Sequence, residues 1–196
     1  VRKEEPTNDL LREISAIPFA RLLEELRSDE RKKAFWINLY NAGFLILRRD
    51  HRLGKPQIYR EKHLVVGGRS FSLDDIEHGI LRRYRFKWAV GYLPDPFVSS
   101  AISQLAVSLI DYRIHFALNC GAKSCPPIGL YLPEKIEDQL EMATRSFLHA
   151  ETEICAEKRE VWVSRLFLWF RGDFARVGGT RRLLREKLEL EQLQGR

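Results

Sequence analysis

The sequence predicts an α+β fold: a helix-rich single domain in which a small, mostly antiparallel sheet packs on a buried central helix. Three observations lead to it. The run from Glu30 to Arg49 is apolar nearly all the way round, through Phe35, Trp36, Ile37, Leu39, Phe44, Leu45 and Leu47, and such a helix belongs inside a core. Most of the remaining periodic sequence repeats its apolar residues at helical spacing. The segments of strand character are few, short and bounded by turn signals, which makes α+β rather than alternating α/β architecture. With 196 residues the chain can bury one sizeable core and is short for two. No linker-like tract or internal repeat divides it, so residues 1–196 are expected to form one unit.

Taken in order, Thr7 and Asn8 stand as caps before "DLLREI", and Pro18 suits the first turn of a helix over "FARLLEELR". Ser28 and Asp29 cap the central helix. His63–Val66 and Arg69–Phe71 flank Gly67-Gly68, a hairpin signature, and Ser72 then opens a helix with Asp75 at the capping-box position. A further helix is expected from about Pro96, with Ile102, Leu105, Ala106 and Leu109 on its inner side. A strand over "YRIHFAL" follows, and Gly121 to Pro127 ends it. Pro133 starts an amphipathic helix with Ile136, Leu140, Ala143 and Phe147 on one stripe. "EICAEKREVWV" predicts a second pair of strands, "SRLFLWFRGDF" a short aromatic helix, and "TRRLLREKLELEQL" a charged terminal helix packed on the rest.

The net charge of +6 gathers in clusters such as Arg31-Lys32-Lys33, Arg48-Arg49, Arg82-Arg83 and Arg181-Arg182. Most flank apolar helical runs and read as solvated helix ends; without a nucleic-acid reading module beside them, no specific nucleic-acid binding is expected. The most apolar stretch, Ala34 to Leu47, carries two asparagines and is too short for a bilayer core of about 30 Å, so no transmembrane segment is expected. No leader peptide is visible, while a first residue Val1 rather than Met is compatible with a targeting segment lost ahead of it. A soluble protein of unassigned compartment is the expectation.

The chemistry concentrates in "RIHFALNCGAKSCPPI", residues 113–128. As a strand it would put Ile114, Phe116 and Leu118 on the core face and His115, Ala117 and Asn119 on the other, with Cys120 and Cys125 in the loop beyond. Three readings stay open. Cys120 or Cys125 can be a nucleophile with His115 as its base and Asn119 as the orienting group. The two cysteines can instead form a metal half-site with His115 and either His78 or Asp74, although the second cluster usual for zinc is missing. They can also close a small disulfide loop. Cys155, beside Ile154, reads as an inert buried thiol. In the central helix Asn38 and Asn41 share a face, and buried amides must find partners, each unsatisfied group costing about 1–3 kcal/mol. Irregular backbone is the natural partner, so the pair is expected to clamp the Asn119–Pro127 loop; orienting the imidazole or donating to an oxyanion is the sharper role. Asp74 and His78, four apart, form a carboxylate–imidazole pair. The Arg-Gly-Asp triplet at 171–173 sits among Trp169, Phe170 and Phe174, which predicts a partly buried corner with Asp173 pinning a helix end, and no adhesion loop.

Four blocks, "FWINLYNA" at 35–42, "FSLDDIEHGILR" at 71–82, "RIHFALNCGAKSCPPI" at 113–128 and "WFRGDF" at 169–174, together resemble the family catalogued as domain of unknown function number 547. The resemblance implies a distinctive core over about 30–175. It sets Asn38, Asn41, Asp74, Glu77, His78, His115, Asn119, Cys120, Cys125 and Asp173 at motif positions without giving them a reaction. Many bacterial relatives resemble exported proteins. A Cys and a His on a helix-plus-strand core also invite an analogy with papain- and transglutaminase-like folds. There the nucleophilic Cys heads the central helix, where this chain has Asn38 and Asn41.

The favoured reading is a non-enzymatic module that binds a peptide or small ligand, with Asn38, Asn41, Asp74 and His78 as binding candidates. The alternative is a thiol-dependent hydrolase or acyl-transferase using Cys120 or Cys125, His115 and Asn119. A metal-dependent enzyme comes third. No cofactor and no metal ligand are assigned.

Overall fold

The protein is described by a computed structural model covering residues 7–49, 51–119, 129–155 and 157–188. Helices α1 (Thr7–Ala16) and α2 (Phe19–Glu25) lead into α3 (Asp29–Arg49), the centre of the fold, where Trp36, Ile37, Tyr40, Phe44 and Leu47 are all buried. Ser28 caps α3 by accepting the Arg31 N–H, while the Asp29 carboxylate crosses to accept the N–H groups of Ser108 and Leu109 at 2.8 and 3.1 Å. One turn on, the buried Lys33 donates to Asp111 at 3.0 Å and to Glu137 at 2.7 Å. A lysine can sit there only because both carboxylates meet it.

After the single turn α4 (Gln57–Arg60), strands β1 (Leu64–Val66) and β2 (Arg69–Phe71) pair antiparallel, Leu64 opposite Phe71, across the expected Gly67-Gly68 turn. Ser72 and Asp75 then form a reciprocal capping box, each accepting the other's N–H at 3.0 Å. The helix they start, Asp75–Leu81, is wound as a π-helix. Bonds such as Arg82 N–H to Glu77 O at 3.0 Å span five residues, and this wider turn is often retained where side chains must be aimed at a site.

Helix α5 (Ser100–Leu105) begins later than expected, because Asp95 accepts the Phe97 N–H in a local turn and the cap falls on Ser99, which accepts from Ile102. It ends at Leu105, so Leu109 is exposed rather than on an inner stripe. The larger departure is at 112–116. The expected strand is a 3₁₀ turn, Tyr112–Phe116, started by Asp111, whose carboxylate accepts the Arg113 N–H at 3.1 Å and its guanidinium at 2.9 and 2.7 Å. A turn of three residues replaces alternation. Ile114, Ala117 and Leu118 therefore join the core around α3, while Phe116 turns into a second core with Phe147, Phe167, Phe174, Leu183 and Leu184. His115 is left between the two.

The second core is closed by α6 (Ile136–Glu151), α7 (Leu166–Trp169), α8 (Arg171–Ala175) and α9 (Gly179–Leu188), with the antiparallel pair β3 (Glu153–Cys155) and β4 (Glu160–Trp162) beside it. The architecture is α+β and helix-rich, and the strands among the described residues form two separate antiparallel pairs. Among the described residues no helix is long and apolar enough to cross a membrane.

Candidate functional site

His115 is held from several sides. Its Nε2 lies 2.9 Å from Oδ2 of Asp173, on α8, and its ring stacks on Phe170 with centroids 3.9 Å apart. The same carboxylate oxygen accepts the Nε–H of Arg82 at 2.6 Å. Arg82 also donates from Nη1 to Nδ1 of His78 at 2.7 Å and lies over the Phe170 ring at 4.6 Å. Both charged side chains of this pair are almost wholly inaccessible.

The donors fix the tautomers. A guanidinium only donates, so His78 Nδ1 is a lone pair; an ionised carboxylate only accepts, so the His115 proton sits on Nε2. His115 Nδ1 is then an unprotonated nitrogen with no hydrogen-bond partner among the described residues. Burial holds the His115 imidazole down to about 4, against the opposing bond to Asp173. Burial likewise keeps His78 well below its ordinary range, helped by the charges of Arg82 and Lys87. For Asp173, burial alone would raise the carboxyl, but the bonds from His115 and Arg82 outweigh it and hold it low.

Beside this network opens a cleft of about 530 Å³, between α3, the π-helix, the loop at 87–90, Leu118 and the α7–α8 corner. That volume is ordinary for a small-molecule site. Its walls are largely apolar and aromatic, with Trp88 and Trp169 exposed at the mouth. Tyr40, Asp74, Glu77, His78 and His115 supply the polar floor. Asp74 is 3.7 Å from His78 Nε2 and accepts from Lys87 at 2.5 Å. Glu77 accepts from the Tyr40 hydroxyl at 3.2 Å. Burial raises its carboxyl to about 7, with the charge of Asp74 adding to the effect and Arg82, Tyr40 and Lys87 opposing it.

The two asparagines of α3 do what buried amides need. Asn41 donates to the Ala117 carbonyl at 3.0 Å and accepts the Asn119 N–H at 2.7 Å. Asn38 donates to the Tyr131 carbonyl at 2.8 Å and accepts the Tyr131 N–H at 2.9 Å. One amide thus fixes the chain just before residue 120 and the other just after residue 128. Substituting Asn41 by Ala strands the N–H of Asn119 and the carbonyl of Ala117 and is expected to cost about 2 kcal/mol in urea unfolding at neutral pH. A loss within the noise of an exposed substitution would show that water replaces the clamp.

Of the expected site residues, His115, Asp74 and His78 therefore line one cleft, and Asn38 and Asn41 bind backbone before residue 120 and after residue 128 rather than the imidazole. Asn119 ends the described segment, and Cys120 and Cys125 lie outside the described residues. Cys155 is a free thiol on β3, half-buried and apart from the cleft. Among the described residues no group of three or more His, Cys, Asp or Glu side chains is placed to hold a metal ion. Sequence reasoning missed Arg82, Tyr40 and Phe170. The signal for Arg82 was available in its position four residues after His78, with both side chains on one helical face.

A family model described as "Protein of unknown function, DUF547" matches residues 23–148, more than half of the chain. The chain belongs to this family. No curated protein and no solved structure matches it. DUF547 has no assigned function, so membership groups this chain with relatives without giving it a reaction. The matched DUF547 segment contains both asparagines, Glu77, His78, Arg82 and His115, whereas Phe170 and Asp173, which complete the network, come from the chain beyond it.

Glu77 makes the site measurable through stability. Its carboxyl titrates near 4.5 ordinarily and at about 7 when folded, so the folded state holds this proton more tightly. That contribution to stability is present below about 4.5 and is lost as pH rises through about 7. Glu77→Gln does not titrate, so it should become more stable than the parent by roughly 2 kcal/mol at about pH 8, the gap closing as pH falls to about 4.5. A pH-independent difference would mean that Glu77 ionises normally.

Proposed function

We propose that this DUF547 domain is a binding module whose ligand occupies the cleft over Glu77, His78 and His115. The observation that carries the reading is the combination of apolar aromatic walls with convergent titratable groups on the floor. Perturbed acids and imidazoles are costly to keep in an apolar recess, and they gather at functional sites more than elsewhere. The Asn41 clamp supports the same reading, since it fixes Ala117 and Asn119, on either side of Leu118 of the cleft wall. A fragment screen followed by the indole N–H resonances of Trp88 and Trp169 tests it. Hits should shift both indoles and lose affinity at least about tenfold in Leu168→Glu, a change on an exposed wall position. Hits that ignore Leu168→Glu would place the ligand elsewhere.

A second reading, a thiol-dependent hydrolase or acyl-transferase, is favoured by one specific feature. His115 has its Nε2–H directed to a carboxylate and its Nδ1 unprotonated, the state a general base requires. In this reading Asp173 orients the base, and Cys120 or Cys125 supplies the nucleophile. Alkylation at neutral pH separates the two readings. An activated thiolate should label at least about a hundredfold faster than Cys155, and His115→Ala should abolish the difference. Uniformly slow labelling leaves the binding reading alone.

A further inference from the structure

Among the described residues most charges around the cleft are ion-paired, and Lys55 and Glu77 are the exceptions. At the mouth Lys87 is held by Asp74 at 2.5 Å, and Lys55 lies against the Tyr59 ring at 5.8 Å. Deeper in, Arg82 is committed to Asp173 and to His78. Glu77 is different. Its carboxylate has the Tyr40 hydroxyl, and His78 at 4.0 Å is neutral, but no cation is hydrogen-bonded to it among the described residues. Its side chain keeps 14% exposure, and it lines the cleft.

We propose that the cleft binds a small organic amine, its ammonium on the Glu77 carboxylate and its apolar body between Trp88, Trp169 and Tyr59. The proposal rests on the cleft being a ligand site and names the chemical class it takes. The ionised carboxylate has no cation hydrogen-bonded to it among the described residues, and an ammonium carried on an apolar stem supplies one while filling the recess. The aromatic walls favour the same charge, because ring faces attract cations and the Tyr59 ring already faces one in Lys55. An anionic ligand would face Glu77 with Lys87 already held by Asp74, leaving only Lys55, beside the Tyr59 ring, to receive it. The cleft volume of about 530 Å³ suits a compact molecule of this kind.

The groups facing Glu77 are Tyr40 from α3, Asp74, His78 and Arg82 from its own segment, and Lys87 from the loop. With its carboxyl at about 7, Glu77 is half-protonated near neutrality, and an ammonium must displace that proton. Amine affinity should therefore rise about tenfold between about pH 6 and about pH 8, with proton release on binding.

The test is calorimetry of the full chain with three probes of one shape, tryptamine, indoleacetate and tryptophol. Tryptamine should bind at least about tenfold more tightly than the other two at about pH 8. Glu77→Gln should erase both that preference and the pH dependence, and Trp88→Ala should weaken binding while leaving the preference intact. Glu77→Gln removes a destabilising charge, so failure to fold does not confound it. Indoleacetate or tryptophol binding as tightly as tryptamine, with all three weakened by Trp88→Ala, would overturn the amine class and leave the cleft reading standing. A tryptamine preference that survives Glu77→Gln would overturn it equally. Failure of all three probes to bind would also end the amine proposal, while the cleft reading keeps its own fragment test.

Discussion

Asp173→Ala is expected to destabilise the folded protein by about 3–5 kcal/mol, the range found when one partner of a buried ion pair is removed. The cost comes from what stays behind. The Arg82 guanidinium, 1% exposed, would keep its charge and lose its carboxylate, and the His115 Nε2–H would lose its acceptor. Asp173→Asn keeps an acceptor oxygen without the charge and should cost less. Exchanging both members at once, Arg82→Met with Asp173→Leu, should recover most of the loss, because no charge is then left buried. If the single and double changes cost the same, packing rather than charge accounts for the position. The acid limb gives an independent check. Asp173 is held below the ordinary carboxylate range, so its contribution is present at neutral pH and is lost as pH falls through its folded value. His115, neutral and lowered from 6.5 to about 4, brings a loss of stability across that interval in parent and variant alike, so the difference between them reports on Asp173. The advantage of the parent over Asp173→Ala, measured by chemical unfolding, should therefore shrink on acidification. An advantage that grew on acidification would contradict the assigned protonation states.

Much of this arrangement could be read from the chain, and the parts that could not failed for two reasons. Ser72 with Asp75, Gly67-Gly68, and the all-round apolar face of α3 are local signals, and each produced the element it announced. Asn38 and Asn41 were also legible. Two amides on a buried face must find backbone, and they found it at Ala117, Asn119 and Tyr131. The strand expected at 112–118 failed because Ile114, Phe116 and Leu118 are all buried, which imitates alternation. Two different cores bury them, and Asp111 caps a 3₁₀ turn that no apolar pattern reveals. The partner of His115 failed for a different reason. Asp173 lies 58 residues away, and a bond over that distance is made by the packing of α8, not by spacing along the chain. The sequence placed Asp173 in a buried aromatic corner and missed which imidazole it meets there.

That corner also sets the requirement at Gly172. Its N–H donates to the Val90 carbonyl at 2.8 Å, bringing α8 backbone-to-backbone against the turn at 90–92. A Cβ at this position would lie 2.5 Å from the Gly91 carbonyl carbon and 2.7 Å from the Tyr92 nitrogen. These are main-chain atoms and cannot rotate aside, so Gly172→Ala must push α8 away from the turn, at a cost of about 3 kcal/mol. The displacement falls on functional groups. Gly91, at φ +87°, is itself packed against Asp173, where an added Cβ would stand 2.7 Å from Oδ1. Asp173 follows Gly172 directly, so any retreat of α8 draws the carboxylate from Arg82 and His115. Gly172→Ala should therefore lower stability and also move the His115 ring resonances, because the bond to Asp173 is stretched. Gly54→Ala, where an added Cβ meets nothing within 4 Å, is the matched control and should change stability by less than about 0.5 kcal/mol. If Gly172→Ala is as mild as Gly54→Ala, the backbone contact between α8 and the 90–92 turn does not hold the network together. The tight placement of His115 would then need another source.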